Sequence, residues 1–183
     1  LLILQIYSFM QLTDGVKYET IVYVFRDDEV LLFEKKRKFL IGNFVPPGGK
    51  LDAKDNGSFS ACAVRELWEE TGKGINALEI VAIGEILFDN SKRDFGKGIG
   101  QEPNHKVYFF EATKYKGEMR ETEEGRPLWV KWSEVEKLKM PPGDRVFHKW
   151  VRERNGRYFV GQVKHVGDRV DEKETWIRYR DKL

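Results

Sequence analysis

The sequence predicts an α+β fold in which a mixed β-sheet is sandwiched between helices. Short runs of β-branched and aromatic residues recur along the chain, whereas only residues 58–71 and 146–154 have helical length and character. The chain has 183 residues and 40% of them are hydrophobic, which is enough material for one core. We therefore expect residues 1–183 to form a single domain.

A β-hairpin is expected near the beginning of the chain. Residues 20–25 and 30–33 are rich in β-forming side chains, and the polar residues 26–29 between them have turn character. The glycine and proline cluster at residues 44–49 then predicts a loop. After this loop we expect a helix over residues 58–71, with Ser58 as its N-cap and Gly72 as its C-terminal stop.

The second half of the chain is predicted to supply most of the sheet. Strand-like runs occur at residues 78–83, 106–110, 128–132, 158–163 and 175–179. A short capped helix is expected at residues 133–138. The helix at residues 146–154 should end at Asn155 and Gly156.

Charge and hydropathy exclude several classes of protein. The 32 basic and 30 acidic residues leave a net charge of +2, so no global field favours stable nucleic-acid binding. The mean hydropathy of −0.56 is typical of a soluble chain with no membrane partner. Cys62 is the single cysteine, which fits a reducing compartment, and we expect a cytoplasmic protein in which Cys62 packs rather than reacts.

The apolar residues 1–9 lack the basic segment and the cleavage site of a signal peptide. They are also too few to span a bilayer. We expect them to be either a non-core extension ahead of Met10 or a native segment without a function in the site.

Three glutamates crowd one side of the helix predicted over residues 58–71. At about 100° per residue, Glu66, Glu69 and Glu70 fall within an arc of about 100°. Each exposed pair of like charges costs a few tenths of a kcal/mol, and a bound Mg²⁺ or Mn²⁺ would remove that cost. A solvated acidic face is the alternative interpretation.

Residues 49–72 resemble the signature of the Nudix hydrolase family, Gly-x5-Glu-x7-Arg-Glu-apolar-x-Glu-Glu-x-Gly-apolar. Residues 65–72, Arg-Glu-Leu-Trp-Glu-Glu-Thr-Gly, carry its most specific half. The resemblance favours the metal-binding interpretation over the solvated face. It implies a Nudix fold and metal-dependent hydrolysis of a diphosphate linkage in a nucleotide-like substrate.

The chain departs from this signature at two places. Counted forward from Gly49, the first glutamate of the signature falls on Asp55, whereas counted back from Arg65 it falls on Gly57. The loop therefore carries two extra residues, and either Asp55 replaces that glutamate or one secondary contact is missing. The final apolar position holds Lys73.

The resemblance implies a role for each residue at a matching position. Glu69 and Glu70 are expected to bind the metal together with the Gly48 carbonyl, and Glu66 is either a further ligand or the general base. Arg65 is expected to hold the preceding loop through a carboxylate pair.

One more metal ligand is expected from the acidic loop at residues 121–127. Glu124 is our choice within it, and an ordinary surface glutamate is the alternative. No zinc site is expected, since the three histidines have no ligand spacing.

The resemblance extends over most of residues 20–176 and is greatest to the branch that hydrolyses oxidised purine nucleoside triphosphates. It implies release of a nucleoside monophosphate and pyrophosphate, a nucleotide-sanitation activity. Within the basic run at residues 35–38, Lys35 and Lys36 are candidates to bind the triphosphate, and a solvated basic turn is the alternative. Gly49 and Lys50 are further substrate-binding candidates.

The base pocket is expected to involve Phe44, Val45, Met140 and Asp144, and ordinary core or surface positions are the alternative for Phe44, Met140 and Asp144. That branch has an asparagine where Val45 stands, and a pair of acids where this chain has Asp144 alone. Two other functions therefore stay open. One is hydrolysis of ADP-ribose or a dinucleoside polyphosphate, and the other is a non-catalytic nucleotide-binding module. The protein is expected to be a monomer or a homodimer.

Overall fold

The computed structural model describes residues 15–37, 40–94 and 98–180. Within these residues the chain forms two β-sheets and two α-helices. The elements in chain order are β1 (Val16–Tyr23), β2 (Phe25–Arg26), β3 (Glu29–Lys35), β4 (Phe44–Val45), β5 (Gly48–Lys50), α1 (Phe59–Glu70), β6 (Asn76–Arg93), β7 (Asn104–Lys116), β8 (Gly125–Lys131), α2 (Pro142–Glu153), β9 (Phe159–Gly167), β10 (Arg169–Val170) and β11 (Trp176–Tyr179).

The larger sheet is mixed and lies between the two helices. Its strand order is β10-β9-β6-β7-β1-β5, and β11 also pairs with β9. The pairs β1 with β7 and β6 with β9 are parallel, and the other pairs are antiparallel. On one face Leu67 of α1 is fully buried against the sheet, and on the other face Phe147 of α2 is fully buried. The predicted sheet between helices is confirmed.

The predicted hairpin is only partly present, because the chain changes sheets within its first strand. Strands β2 and β3 pair across a tight turn, and the Leu31 N–H donates to the Val24 carbonyl at 3.0 Å. Residues up to Tyr23, however, pair with β7 and β5 in the larger sheet. Val22, Tyr23 and Val24 are all fully buried, so no alternation of exposure marks the crossing.

Strand β3 joins β2, β4 and β8 in a second, antiparallel sheet of four strands. Strand β6 is the other large difference from expectation, since it covers 18 residues where the sequence predicted residues 78–83. Residues 84–88 pair with β7 on one side and with β9 on the other, and the polar end at residues 89–93 pairs with β9. Tertiary pairing therefore outweighs the weak local preference.

Helix α1 begins and ends as the sequence predicted. The Ser58 hydroxyl accepts a hydrogen bond from the Ala61 N–H at 3.2 Å, as an N-cap does. At the other end the Thr71 hydroxyl donates to the Leu67 carbonyl at 2.7 Å, and Gly72 adopts a left-handed conformation with φ of 69°. These two ends fix which residues of α1 meet strand β5.

Helix α2 begins four residues earlier than predicted, at Pro142, and residues 132–137 form a short 3-10 helix. None of the helices in the described part of the chain combines the length and the apolar character needed to span a bilayer. The predicted extension at residues 1–9 and Lys38 of the basic run lie outside the described residues.

Candidate active site

The acidic side of α1 lies against β5, the edge strand of the larger sheet. A Cβ atom built on Gly49 would overlap the carboxylate of Glu66. The Glu66 side chain therefore reaches the backbone of β5 only because position 49 has no side chain. We call Glu66, Glu69 and Glu70 the carboxylate face.

Arg65 is the central cation of this region. Its Nε and Nη2 atoms donate to the two carboxylate oxygens of Asp55 at 2.8 and 2.9 Å. Its Nη1 atom donates to Glu66 at 2.7 Å and to Glu69 at 3.1 Å. A further bond from Nη2 reaches the Lys50 carbonyl at 3.1 Å. Arg65 thus joins the preceding loop, strand β5 and the carboxylate face, and such bidentate contacts are geometrically specific.

Asp55 takes the place that the altered signature left open. It is 3% exposed and also accepts the Asp52 N–H at 2.8 Å. Asn56 and Gly57 follow it in left-handed conformations, with φ of 49° and 74°. This turn accommodates the two extra residues while Asp55 keeps its contact with Arg65. The hydrogen bonds from Arg65 lower the pKa of the Asp55 carboxyl to about 2.

Glu70 is the most buried member of the carboxylate face, with 6% of its side chain exposed. One carboxylate oxygen lies 2.5 Å from the Lys35 Nζ atom, and the other accepts the Gly48 N–H at 2.9 Å. Burial raises the pKa of the Glu70 carboxyl, although Lys35 and the Gly48 N–H oppose that shift. Burial also raises the pKa of Glu66, against the opposing effect of Arg65.

The Gly48 N–H is directed to Glu70 rather than to β1. In a regular β-strand both backbone groups of one residue point the same way. Strand β5 lies at the free edge of the sheet, so this geometry favours a Gly48 carbonyl that also faces away from β1, as a metal ligand at Gly48 would need.

The charges of the site fit a hard divalent cation. Asp55 and the three glutamates carry four negative charges, and the two cations bonded to them carry two positive charges, so 4 − 2 leaves two negative charges. Carboxylate and carbonyl oxygens are the donors that Mg²⁺ and Mn²⁺ prefer. Within the described residues no three acidic, histidine or cysteine side chains converge as a bound metal would require. The cationic side chains hold these carboxylates instead.

The two lysines of the predicted basic run, Lys35 and Lys36, lie in different environments. Lys35 is turned to Glu70, whereas Lys36 forms an ion pair with Glu121 of the acidic loop. The acidic loop is held beside β3, since the Lys36 N–H donates to the Glu124 carbonyl at 2.9 Å. Consecutive residues of an extended chain point to opposite sides, which explains the division.

The predicted base-pocket residues Phe44, Val45 and Met140 lie near one another. The Phe44 N–H donates to the Lys139 carbonyl at 2.8 Å, which places β4 beside the segment that leads into α2. Val45 and Met140 are 8% and 7% exposed, and Phe44 packs against the core cluster that contains Met140. The Lys50 side chain is exposed.

Asp144 lies in the first turn of α2 and is half-buried. Burial raises the pKa of its carboxyl to about 7, although the positive charge of Arg93 opposes the shift. The negative charge of Glu19 adds to the increase. At neutral pH this carboxyl is therefore divided between its protonated and ionised forms.

Beside Asp144 lies a set of polar residues that the sequence did not reveal. The Asn90 Oδ1 atom lies 2.9 Å from the His165 Nδ1 atom and 3.3 Å from the Arg93 Nη1 atom. A Cβ atom on Gly143 would lie 3.1 Å from the His165 Nε2 atom, so this set contacts the beginning of α2. We call Asn90, Arg93, Asp144 and His165 the polar cluster. The sequence offered little signal, since Asn90 lies in the polar end of β6 and His165 follows Lys164 in β9.

Comparison with known proteins gives consistent results. The profile of the NUDIX domain matches residues 17–151. An oxidized purine nucleoside triphosphate hydrolase of Danio rerio is 30% identical over 154 residues, which cover 84% of this chain and 90% of that protein. A MutT protein of Bacillus halodurans superposes with a TM-score of 0.67 at 30% identity, over 89% of this chain and 97% of its own. The NUDIX domain of Shewanella oneidensis NrtR, solved with ADP ribose, is similar in fold, with a TM-score of 0.58 at 17% identity over 76% of this chain and 86% of its own.

Proposed function

This chain belongs to the Nudix hydrolase family, and from that premise we propose that it hydrolyses a nucleoside triphosphate to a nucleoside monophosphate and pyrophosphate. We propose Mg²⁺ or Mn²⁺ as its cofactor, oxidised purine nucleotides as its substrate class, and nucleotide sanitation in the cytoplasm as its role.

The arrangement of Arg65 against the carboxylate face carries this proposal. A merely solvated acidic helix would not need a buried Asp55 to hold its arginine, nor a glycine at position 49 to admit Glu66. The geometry supports a site built to keep several carboxylates together at a sheet edge. The proposed metal-binding groups are the three glutamates and the Gly48 carbonyl, with Glu124 as a further candidate.

A bound dication would neutralise phosphate oxygens and lower the pKa of a water molecule. The side chains of the protein would position the reacting groups and accept the proton. Arg65 restrains Glu66 through one carboxylate oxygen, Oε1. We propose that the other oxygen, Oε2, accepts the proton of the attacking water, so that Glu66 acts as the general base. Glu66 as a further metal ligand is the alternative assignment.

Two observations support the substrate class. A relative with 30% identity is named as an oxidized purine nucleoside triphosphate hydrolase. In addition, a carboxyl with a pKa of about 7 at Asp144 can both donate and accept a hydrogen bond at neutral pH. The edge of an oxidised purine presents both donors and acceptors, so we propose that Asp144 reads the base, with Phe44, Val45 and Met140 as the apolar walls of the pocket.

The test is the release of pyrophosphate from canonical and oxidised nucleoside triphosphates. Hydrolysis of ADP-ribose and of dinucleoside polyphosphates is measured in parallel, because these are the alternative substrates. The Glu69→Gln variant should lower kcat by about 10²- to 10³-fold, since it removes a proposed ligand of the metal that would stabilise charge on the reacting phosphates. The matched control is Glu123→Gln, whose side chain is 83% exposed and pairs with Arg37. This control should retain native activity.

Three results would contradict the proposal in whole or in part. Equal loss in both variants would show that the carboxylate face has no special role. Tight nucleotide binding without metal-dependent turnover of any member of the panel would instead identify a non-catalytic binding module. Preferred turnover of ADP-ribose would retain the hydrolase and overturn the substrate class.

A further inference from the structure

The Lys35–Glu70 ion pair occupies one of the carboxylates proposed to bind the metal. The two side chains are 19% and 6% exposed, so the pair is shielded from water on most sides. Because the Gly48 N–H takes the second carboxylate oxygen, both oxygens of Glu70 are already engaged. A dication that binds Glu70 must therefore share an oxygen with the lysine ammonium or replace it.

Lys35 approaches Glu70 from a different part of the fold. It is the last residue of β3 in the smaller sheet, whereas Glu70 ends α1 on the larger sheet. Its backbone is fixed, since the Lys35 N–H donates to the Asn43 carbonyl at 2.9 Å and its carbonyl accepts the Gly42 N–H at 2.8 Å. The ammonium stands on a flexible four-carbon stem and can move while both sheets remain in place.

We propose that Lys35 is an exchangeable counter-ion that couples metal binding to phosphate binding. Before the metal arrives, its ammonium neutralises the buried carboxylate of Glu70 and holds it against Gly48. Once a dication occupies Glu70, repulsion between the two positive groups moves the ammonium away. The released charge then binds the phosphate groups of the substrate. Lys35 is thus a positioning residue first and a phosphate ligand second, and this inference rests on the proposed function.

This role has a thermodynamic consequence. A positive charge that opposes the metal when the site is empty, but binds the phosphates when the metal is present, makes the two ligands bind cooperatively. Cooperativity of binding is reciprocal, so each ligand must increase the affinity for the other. Removal of the charge should strengthen metal binding to the free protein and weaken the coupling.

The main experiment is calorimetric titration of the free protein with Mn²⁺. Lys35→Gln removes the charge but keeps a hydrogen-bond donor for Glu70, and we expect it to bind Mn²⁺ about tenfold more tightly than the native protein. Lys36→Gln is the matched control, because the neighbouring lysine contacts Glu121 instead. The control should bind Mn²⁺ as the native protein does.

The outcomes separate this inference from the proposed function. Equal Mn²⁺ affinity in the native protein and both variants would overturn the counter-ion role and leave the hydrolase intact. Equal tightening in both lysine variants would also overturn it, since any loss of charge would then suffice. Absence of Mn²⁺ binding in all three proteins, with and without pyrophosphate, would overturn both.

A second measurement uses the native protein and does not depend on the folding of a variant. The rate of amine acetylation at each lysine can be followed by mass spectrometry with increasing Mg²⁺. We expect the rate at Lys35 to rise several-fold on saturation with Mg²⁺ as its ammonium leaves Glu70, while the rate at Lys36 stays constant. An unchanged rate at Lys35 would contradict the displacement.

Discussion

The carboxylate face and the polar cluster both gather ionisable groups that burial makes harder to charge, but the two regions compensate that cost differently. On the carboxylate face the acids remain close to cations, Lys35 at Glu70 and Arg65 at Glu66. In the polar cluster burial disfavours charge, because the pKa of His165 is lowered to about 4 and that of Asp144 is raised to about 7. The first region retains charge that a metal and phosphates can use. The second offers hydrogen bonds with little net charge, which suits the edge of a base.

The two regions also differ in how the fold assembles them. All three residues of the carboxylate face lie on one side of a single helix, so their spacing is set by helix geometry. The polar cluster combines β6, β9 and the first turn of α2. Under the proposed function the carboxylate face serves the chemistry and the polar cluster serves recognition of the base, and each role can be tested separately.

The largest expected effect concerns Arg65, the half-buried cation that pairs with Asp55 and with the carboxylate face. Arg65→Met would leave the carboxylate of Asp55, which is 3% exposed, without its partner. Loss of one partner of a buried pair costs about 3–5 kcal/mol, so the free energy of unfolding in urea should fall by that amount. The matched control is Arg126→Met, which breaks the more exposed pair with Glu34 at 2.8 Å. That control should cost no more than about 1 kcal/mol.

If the free energy of unfolding fell by the same small amount in both arginine variants, the ion pair between Arg65 and Asp55 would contribute no more to stability than an exposed pair. The double variant Arg65→Met with Asp55→Asn sharpens the test. Since it removes the uncompensated charge, it should recover part of the stability that Arg65→Met loses.

The second prediction concerns the polar cluster and follows from the pKa of Asp144. Its folded value of about 7 exceeds the ordinary value of 3.8, so between these pH values the folded protein binds more protons than the unfolded chain. Stability must therefore fall as the pH rises toward 7. Between pH 5 and pH 8 the native protein should lose about 3 kcal/mol more than Asp144→Asn, at about 1.4 kcal/mol for each pH unit below the folded pKa.

The charged and titratable groups around Asp144 are shared by both proteins in this comparison. They are Arg93 of β6, Glu19 and Tyr23 of β1, and His165 of β9. Their own titrations cancel in the difference to first order. Asp168→Asn, with a side chain that is 91% exposed, is the control and should follow the native curve. Parallel curves of stability against pH for the native protein and Asp144→Asn would show that the fold does not raise the pKa of Asp144.

The arrangement around helix α1 could be predicted from the sequence because the information for it is local, whereas metal binding by its glutamates stays a prediction. Helix α1, its cap at Ser58 and the pairing of Arg65 with an acid of the preceding loop all depend on residues within about twenty positions of one another. Even where the signature is altered, the position of its first glutamate could be assigned to either Asp55 or Gly57 from the sequence alone. The structure was needed only to show that Asp55 makes the contact.

The sequence could not predict the polar cluster, since its members are up to 75 residues apart. Polar residues such as Asn90 weaken the strand pattern of β6, and its second half was therefore not expected to be a strand. The crossing between sheets at Val24 was hidden for the opposite reason, because a fully buried segment has no alternation to interpret. Lys35 and Lys36 are adjacent and chemically alike in the sequence. Only the structure shows that Lys35 contacts Glu70 whereas Lys36 contacts Glu121.

The smallest expected effect tests the comparison most directly, with one glycine-to-alanine substitution in each region. In Gly49→Ala the new methyl group would displace the flexible end of Glu66, so the fold can adapt while the carboxylate moves. We expect kcat to fall about tenfold, equivalent to about 1.4 kcal/mol, by the same factor for every nucleotide.

In Gly143→Ala the methyl group would instead meet the ring of Phe88 at 2.9 Å and the His165 Nε2 atom at 3.1 Å. This substitution should change KM and the order of preference among nucleotides, with kcat for the best substrate less affected. Thermal unfolding of both variants would verify that each remains folded, since overpacking costs about 1–3 kcal/mol. If Gly49→Ala changed nucleotide preference, or if Gly143→Ala lowered kcat uniformly, the division into a chemical and a recognition region would be wrong. Both substitutions add the same single methyl group, so a difference in catalysis between the two folded variants is attributed to the side chains that each methyl group meets.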